Sequence, residues 1–270
     1  TSNKNNKGIL MQRGSLVCVG TGMMVGAHMS PICQSHIEQA DVVFVCVAEH
    51  YMEAWITSLN NNTVNLQSFY EDGKDRHETY AQMTNAMLNK VEQGQKVVGA
   101  FYGHPSVFAK APLDAVNRAK QKGFEAYMLP GISAESCLYA DLGVDPGAVG
   151  CQHYEANQFL KFKREIDTAA YLILWQVGVV GDFSSAVYTS TPLQRKKLTD
   201  KLLSIYNAED TAILYEAATL PIEDFRAESI AIADLHEHEI NQHTTLVIPP
   251  VKTLKLDDTD YSTNSNLCNS

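Results

Sequence analysis

A rhythm along the first hundred residues constrains this chain most. Four short apolar runs, "SLVCVG" (15–20), "DVVFVC" (41–46), "VNLQ" (64–67) and "KVVGAFYG" (96–103), alternate with helical spacing near 31–39, 50–59 and 76–93. A strand that is apolar along its whole length, not only at every second residue, is buried on both faces. Such strands alternating with helices imply an α/β fold with a mostly parallel sheet. The helix after Arg76 lines up Tyr80, Met83, Met87, Leu88 and Val91, and Gly94 is its expected stop. Another helix is expected from near Pro112 to Gly123.

Past "MLPGISAES" (128–136) the spacing widens. "YLILWQVGVV" (171–180), "TAILYEA" (211–217) and "TTLVIPP" (244–250) read as longer strands. The expected organisation is a flexible polar tail over 1–13, an α/β domain over 14–130, a second over 131–252 and a polar tail over 253–270, with no internal repeat. A chain of 270 residues, 45% hydrophobic, is long enough for two small cores.

Net charge is −10, which argues against nonspecific binding to nucleic acid or to an anionic membrane. No apolar run is long enough to cross a bilayer, and the opening residues lack the apolar stretch of a signal peptide. Cys18, Cys33, Cys46, Cys137, Cys151 and Cys268 are scattered and form no CxxC pair. Reduced thiols in a cytoplasmic protein are the expectation, with no metal site.

Several motifs fall where ligands bind α/β sheets, beyond the carboxyl ends of strands. "CVGTGMMVG" places Gly20, Gly22 and Gly26 after the first strand, one residue longer than the GxGxxG dinucleotide fingerprint. Glu49, past the second strand, stands where a ribose-binding acid could sit. On spacing, a nicotinamide site and a plain tight turn stand level. "FYGHPSVFA" (101–109) puts Tyr102, Gly103, His104 and Pro105 at a strand end, a pocket position. "LPGISAES" (129–136) makes a second glycine turn into a helix, with Ser133 the expected N-cap and Ser136 a further candidate. "HEHE" (236–239) sets His236 and His238 two apart, so on a helix they diverge; it reads as solvated surface.

"FYEDGKDRHETY" (69–80) is the oddest stretch. Asp75 and Glu78 mark a helix start, which makes Arg76 the first helical residue. A cation there opposes the helix dipole. Arg76 also shares a face with Tyr80, one turn on, so it extends an apolar stripe and needs a partner. A structural carboxylate would serve; so would negative charge that develops during a reaction.

Together, "SLVCVGTG", "FYGHPSVFA", "LPGISAESCLYADLGVDP" and "TTLVIPP", in this order, resemble the tetrapyrrole-methylase superfamily. "YGHP" in place of a "GDP"-type motif, with "FYEDGKDRHETY" and "LILWQVG", is similar to its borosin branch of peptide backbone α-N-methyltransferases. The likeness runs from about residue 14 to 252. It implies two α/β domains with S-adenosylmethionine (SAM) in the cleft between them, a homodimer, and S-adenosyl-L-homocysteine as product. It implies that Tyr70, Arg76 and Tyr80 are catalytic, and that Tyr102, His104, Val107, Ala134, Gln176, Ala217, Thr244 and Thr245 hold the cofactor. Gln67 departs from the pattern, which carries a further tyrosine at that place in the substrate channel. Fused borosin enzymes continue into a long extension with their own core peptide. The polar residues after "IPPVKTLKL" do not resemble one, so a split form acting on a separate precursor peptide is expected.

The implied chemistry has a physical rationale. A backbone amide nitrogen is a poor nucleophile because its lone pair is delocalised into the carbonyl. Its proton must leave, and the charge on the imidate oxygen must be held. Arg76 and the helix end favour a phenolate at Tyr80 as base, and Arg76 with Tyr70 holds the oxyanion. The alternatives are a SAM-dependent methylase of a tetrapyrrole or other small molecule, a nicotinamide-dependent oxidoreductase, and a noncatalytic binding protein.

Overall fold

The computed structural model describes residues 13–47, 49–71, 73–182 and 189–257. The expectations for residues 1–12 and for 258–270, Cys268 included, lie outside these. The described chain forms two compact units. One runs to Gly143 and adds Asp182 and Glu216–Arg226; the other comprises Val144–Gly181, residues 189–215 and Ala227 onward.

The first unit holds strands β1 (Ser15–Gly20), β2 (Val42–Cys46), β3 (Thr63–Asn65), β4 (Lys96–Phe101) and β5 (Glu125–Leu129). They form one sheet in the order β3-β2-β4-β1-β5, with all four pairings parallel. Helices α1 (Pro31–Gln39), α2 (His50–Leu59), α3 (Arg76–Glu92), α4 (Lys110–Gln121) and α5 (Ala134–Leu142) connect and follow them. Alternate residues of β1 serve opposite faces, as strand geometry requires. Leu16 and Cys18 pack with Met83, Met87 and Leu88 of α3, whereas Val17 and Val19 pack with Ile37 of α1 and with Met52 and Ile56 of α2. Both faces are covered, which accounts for the continuous apolar runs.

The second unit adds α6 (Pro146–Val149), β6 (Cys151–Glu155), α7 (Ala156–Lys161), β7 (Tyr171–Trp175), α8 (Pro192–Leu203), β8 (Thr211–Glu216), β9 (Arg226–Ala231) and β10 (Thr245–Ile248). Its sheet runs β6-β7-β10-β8-β9, and β10 is antiparallel to both neighbours β7 and β8. Phe159, Leu172, Leu174, Leu198, Leu202, Leu214 and Leu246 form its core.

Two expectations of extent are corrected, and a third, the helix from near Pro112, is met. The run 64–67 is strand only to Asn65, whose side chain accepts from the Gln67 N–H at 2.7 Å and starts a 3-10 turn over Leu66–Phe69. "YLILWQVGVV" is strand only to Trp175; Gln176 is left-handed at φ 59 and a 3-10 turn, Val177–Val179, follows. α4 begins at Lys110, and Pro112 sits within the first turn, where its missing N–H breaks no helical bond.

Candidate functional site

Three loops at the carboxyl end of the first sheet meet on glycine. Gly22 and Gly103 form an antiparallel bridge, each N–H donating to the other's carbonyl at 3.1 and 3.0 Å. A Cβ on Gly20 would lie 2.5 Å from the Gly103 oxygen, and one on Gly131 would lie 2.1 Å from the same atom. These glycines therefore let the loops after β1, β4 and β5 touch backbone to backbone. A dinucleotide turn needs free amides aimed at a pyrophosphate from a helix start. Here the Gly22 and Gly103 amides are taken up by each other, and α1 starts only at Pro31. The nicotinamide alternative loses its structural basis.

Tyr102 and His104 leave β4 at this junction. The Tyr102 amide donates to the Cys46 carbonyl at 3.0 Å, tying the loop to β2. Burial raises the Tyr102 phenol well above its usual range, and Cys137 and Glu49 add to the effect. Cys137 is pushed up to about 11 by burial, with Asp141 reinforcing. His104 Nδ1 accepts from the Ser106 N–H at 3.1 Å, which leaves Nε2 to carry the proton. Val107 is exposed, and Phe108 beside it holds a left-handed φ of 51, a strained state for a bulky residue. Ala134 is the first residue of α5; Ser133 occupies the N-cap position, but its side chain makes no capping bond. The Val25 amide donates to the Thr219 carbonyl at 3.1 Å, which brings the segment carrying Ala217 against the loop after β1.

The start of α3 gathers the other candidates. Asp75 is the N-cap and accepts from the His77 N–H at 2.8 Å; Glu78 faces Gln82 instead, whose amide donates to it at 3.4 Å. Arg76 is the first helical residue, and its guanidinium pairs with Asp182 Oδ2 at 3.3 Å. The side chains are 17% and 5% exposed, so the pair is largely out of water. Tyr70 and Tyr80 meet edge to face, ring centroids 6.5 Å apart at 88°. Lys74 draws the loop in by donating to the Phe69 carbonyl at 3.0 Å and to Gln82 at 2.7 Å. Gln67, the departure from the pattern, donates its side-chain amide to the Val47 carbonyl. Asp182 and Lys74 are the residues that sequence reasoning missed. Lys74 stood within the quoted motif, two residues before Arg76; Asp182 carried no local signal.

In the second unit, Gln176 and Thr244 flank a close approach. A Cβ on Gly178 would lie 2.0 Å from the Asn241 carbonyl, and Thr244 Oγ1 accepts from the Asn241 N–H at 3.0 Å. Thr244 and Thr245 are buried, and Thr245 stands opposite Tyr215 in the sheet. "HEHE" is solvated surface as expected, with Glu237 and Glu239 exposed, but a 3-10 turn over Ile232–Glu237 replaces a regular helix, and His238 lies 2.9 Å from Glu228. Among the described residues, no group of three or more His, Cys, Asp or Glu side chains is placed to hold a metal.

Burial, with Glu49 and Asp141 adding to it, keeps the Tyr102 phenol and the Cys137 thiol in their neutral forms.

A family model of tetrapyrrole (corrin/porphyrin) methylases matches residues 15–233. The chain belongs to this family. Among its relatives, a Gymnopus fusipes protein described as a methyltransferase and ribosomally synthesized cyclic peptide (gymnopeptides) precursor is 41% identical over 250 residues, 90% of this chain and 59% of that protein. The corresponding lentinulin A precursor protein of Lentinula edodes is 43% identical over 248 residues, 89% of this chain and 59% of its own length. The omphalotin A precursor protein of Omphalotus olearius is 41% identical over 244 residues, 88% and 58%. The chain thus spans less than two thirds of these relatives. Two solved structures share the fold at a TM-score of 0.62: a cobalt precorrin-4 methyltransferase at 14% identity, covering 87% of this chain and 94% of that one, and a uroporphyrin-III-C-methyltransferase from Thermus thermophilus at 19%, covering 88% and 95%.

Proposed function

We propose that the chain is a borosin-type peptide backbone α-N-methyltransferase, using SAM to methylate amide nitrogens of a ribosomal precursor peptide. The observation that carries this reading is the start of α3. Arg76 lies one helical turn before Tyr80, with Tyr70 edge-on to Tyr80, at the carboxyl end of the sheet. Bound SAM supplies the methyl group and leaves as S-adenosyl-L-homocysteine. Tyr80 accepts the amide proton at its phenolate oxygen, and Arg76, with Tyr70, holds the charge on the imidate oxygen. Residues Tyr102, His104, Val107, Ala134 and Ala217 of the first unit, and Gln176, Thr244 and Thr245 of the second, are the proposed cofactor contacts. A homodimer and a cytoplasmic site of action belong to the same proposal. The relatives' descriptions support a peptide, since each names a peptide precursor.

The test incubates the chain with SAM and a synthetic peptide of the omphalotin A precursor segment. Stepwise mass gains of one methyl, localised to backbone nitrogen by fragmentation, are the expected result. Arg76→Ala should lose methyl transfer by about 100-fold or more while SAM binding by calorimetry stays within about three-fold. Near-native turnover of Arg76→Ala removes it from the mechanism. Tyr80→Phe keeps the ring and loses only the hydroxyl, so unchanged activity returns Tyr80 to a packing role. The family match also favours a tetrapyrrole substrate, and methyl transfer to uroporphyrinogen with none to peptide would decide for it.

A further inference from the structure

We infer that Asp182 is a positioning residue for Arg76, the carboxylate that holds the guanidinium in the orientation the reaction uses. This rests on the proposed function and names a part of its machinery. Arg76 at the first position of α3 faces two costs: it is largely removed from water, and it opposes the positive end of the helix. A carboxylate at that point answers both. Asp182 Oδ2 lies 3.3 Å from the Arg76 nitrogen and is 5% exposed, although it is 106 residues away along the chain. The guanidinium is planar and its five N–H donors sit in a fixed fork, so holding one terminal nitrogen on Asp182 Oδ2 constrains the direction of the whole group. An arginine left to choose among rotamers would have to be ordered anew at each turnover, and misplacement of an oxyanion donor costs rate more than affinity.

The experiment compares wild type with Asp182→Asn, Asp182→Ser, Asp182→Glu, Arg76→Lys and the double variant Arg76→Lys/Asp182→Asn. All are assayed with SAM and the same omphalotin A precursor peptide, after melting temperatures establish that each is folded. Asp182→Asn should lower kcat about 10- to 100-fold with KM for SAM and peptide within about two-fold, the signature of an interaction realised in the transition state. Asp182→Glu, which keeps the charge, should recover most of the loss. In the Arg76→Lys background, Asp182→Asn should cost less than about two-fold more, because Asp182 acts through the guanidinium. Full additivity in the double variant, or near-native kcat in Asp182→Asn, overturns the inference while leaving the proposed function standing. Loss of fold in both Asp182→Asn and Asp182→Ser assigns the residue to the fold and overturns it too. No methyl transfer to peptide by the wild type overturns the proposed function itself, and this inference with it.

Discussion

In the first unit, three loops meet on the bare backbone of Gly20, Gly103 and Gly131; in the second, Gly178 is pressed against Asn241, two residues after a left-handed Gln176. Both sheets bring strand ends within backbone contact. The first does so with glycine wherever the approach is closest. The second places a glutamine at φ 59, a conformation that costs a residue with a Cβ about 1–2 kcal/mol. The first unit carries strain of the same kind at Phe108, φ 51, beyond its glycine junction. The contrast is between glycines that serve packing and the two larger residues held in left-handed turns.

The largest effect on stability comes from filling the junctions. Gly131→Ala and Gly178→Ala each drive a Cβ to within 2.1 and 2.0 Å of a carbonyl oxygen. Each should lose about 2–4 kcal/mol in urea unfolding. Gly26→Ala is the control: it has a positive φ of 72 but nothing within 4 Å, and should lose only about 1 kcal/mol. If Gly131→Ala proved as mild as Gly26→Ala, loop contact would not be what these glycines provide.

A smaller effect, of opposite sign, is expected at Gln176. Gln176→Gly removes the Cβ penalty and should stabilise the chain by about 1 kcal/mol. It should also weaken SAM binding several-fold if the amide is a cofactor contact, as proposed. A variant that gains stability and binds SAM as tightly as wild type would leave the strain without a function.

The parallel sheet was legible because burial on both faces writes itself into continuous apolar runs. The start of α3 was legible because Asp75 caps it, and the helix begins at Arg76 as that cap dictates. Other features were hidden for identifiable reasons. Valines continue past Trp175, so the end of β7 cannot be seen in apolarity; it is set by the turn at Gln176 and the contact of Gly178 with Asn241. Gly20 and Gly22 showed that a close approach was needed, but not that the approaching group was the chain itself, since Gly103 and Gly131 arrive from distant loops. The question at Arg76, structural carboxylate or developing charge, had two answers on sequence. Asp182 supplies the first, and it is invisible locally because the pairing spans 106 residues. Ser133 takes the N-cap position that its residue type suggested, although its side chain makes no capping bond there.

The smallest effect at neutral pH lies in buried acids, and alkaline pH should tell the two units apart. In the first unit, burial pushes Cys46 and Cys137 from 9.0 up to about 11. In the second, burial pushes Tyr206 from 10.0 up to about 12, with Asp167 and Asp210 adding to it. A raised pKa means that the folded state favours the protonated form. The associated stability is therefore complete below the ordinary value and is lost as pH rises through the folded one. The first unit should weaken between pH 9.0 and about 11, and the second between 10.0 and about 12. Each unit carries one of the chain's two tryptophans, Trp55 in α2 and Trp175 in β7. Single-tryptophan variants, Trp175→Phe and Trp55→Phe, followed by fluorescence in mild urea, would report each unit separately. Trp55 should change environment about one pH unit before Trp175. Coincident transitions would mean that the two units unfold as one, and that these thiols do not set the alkaline limit of the first.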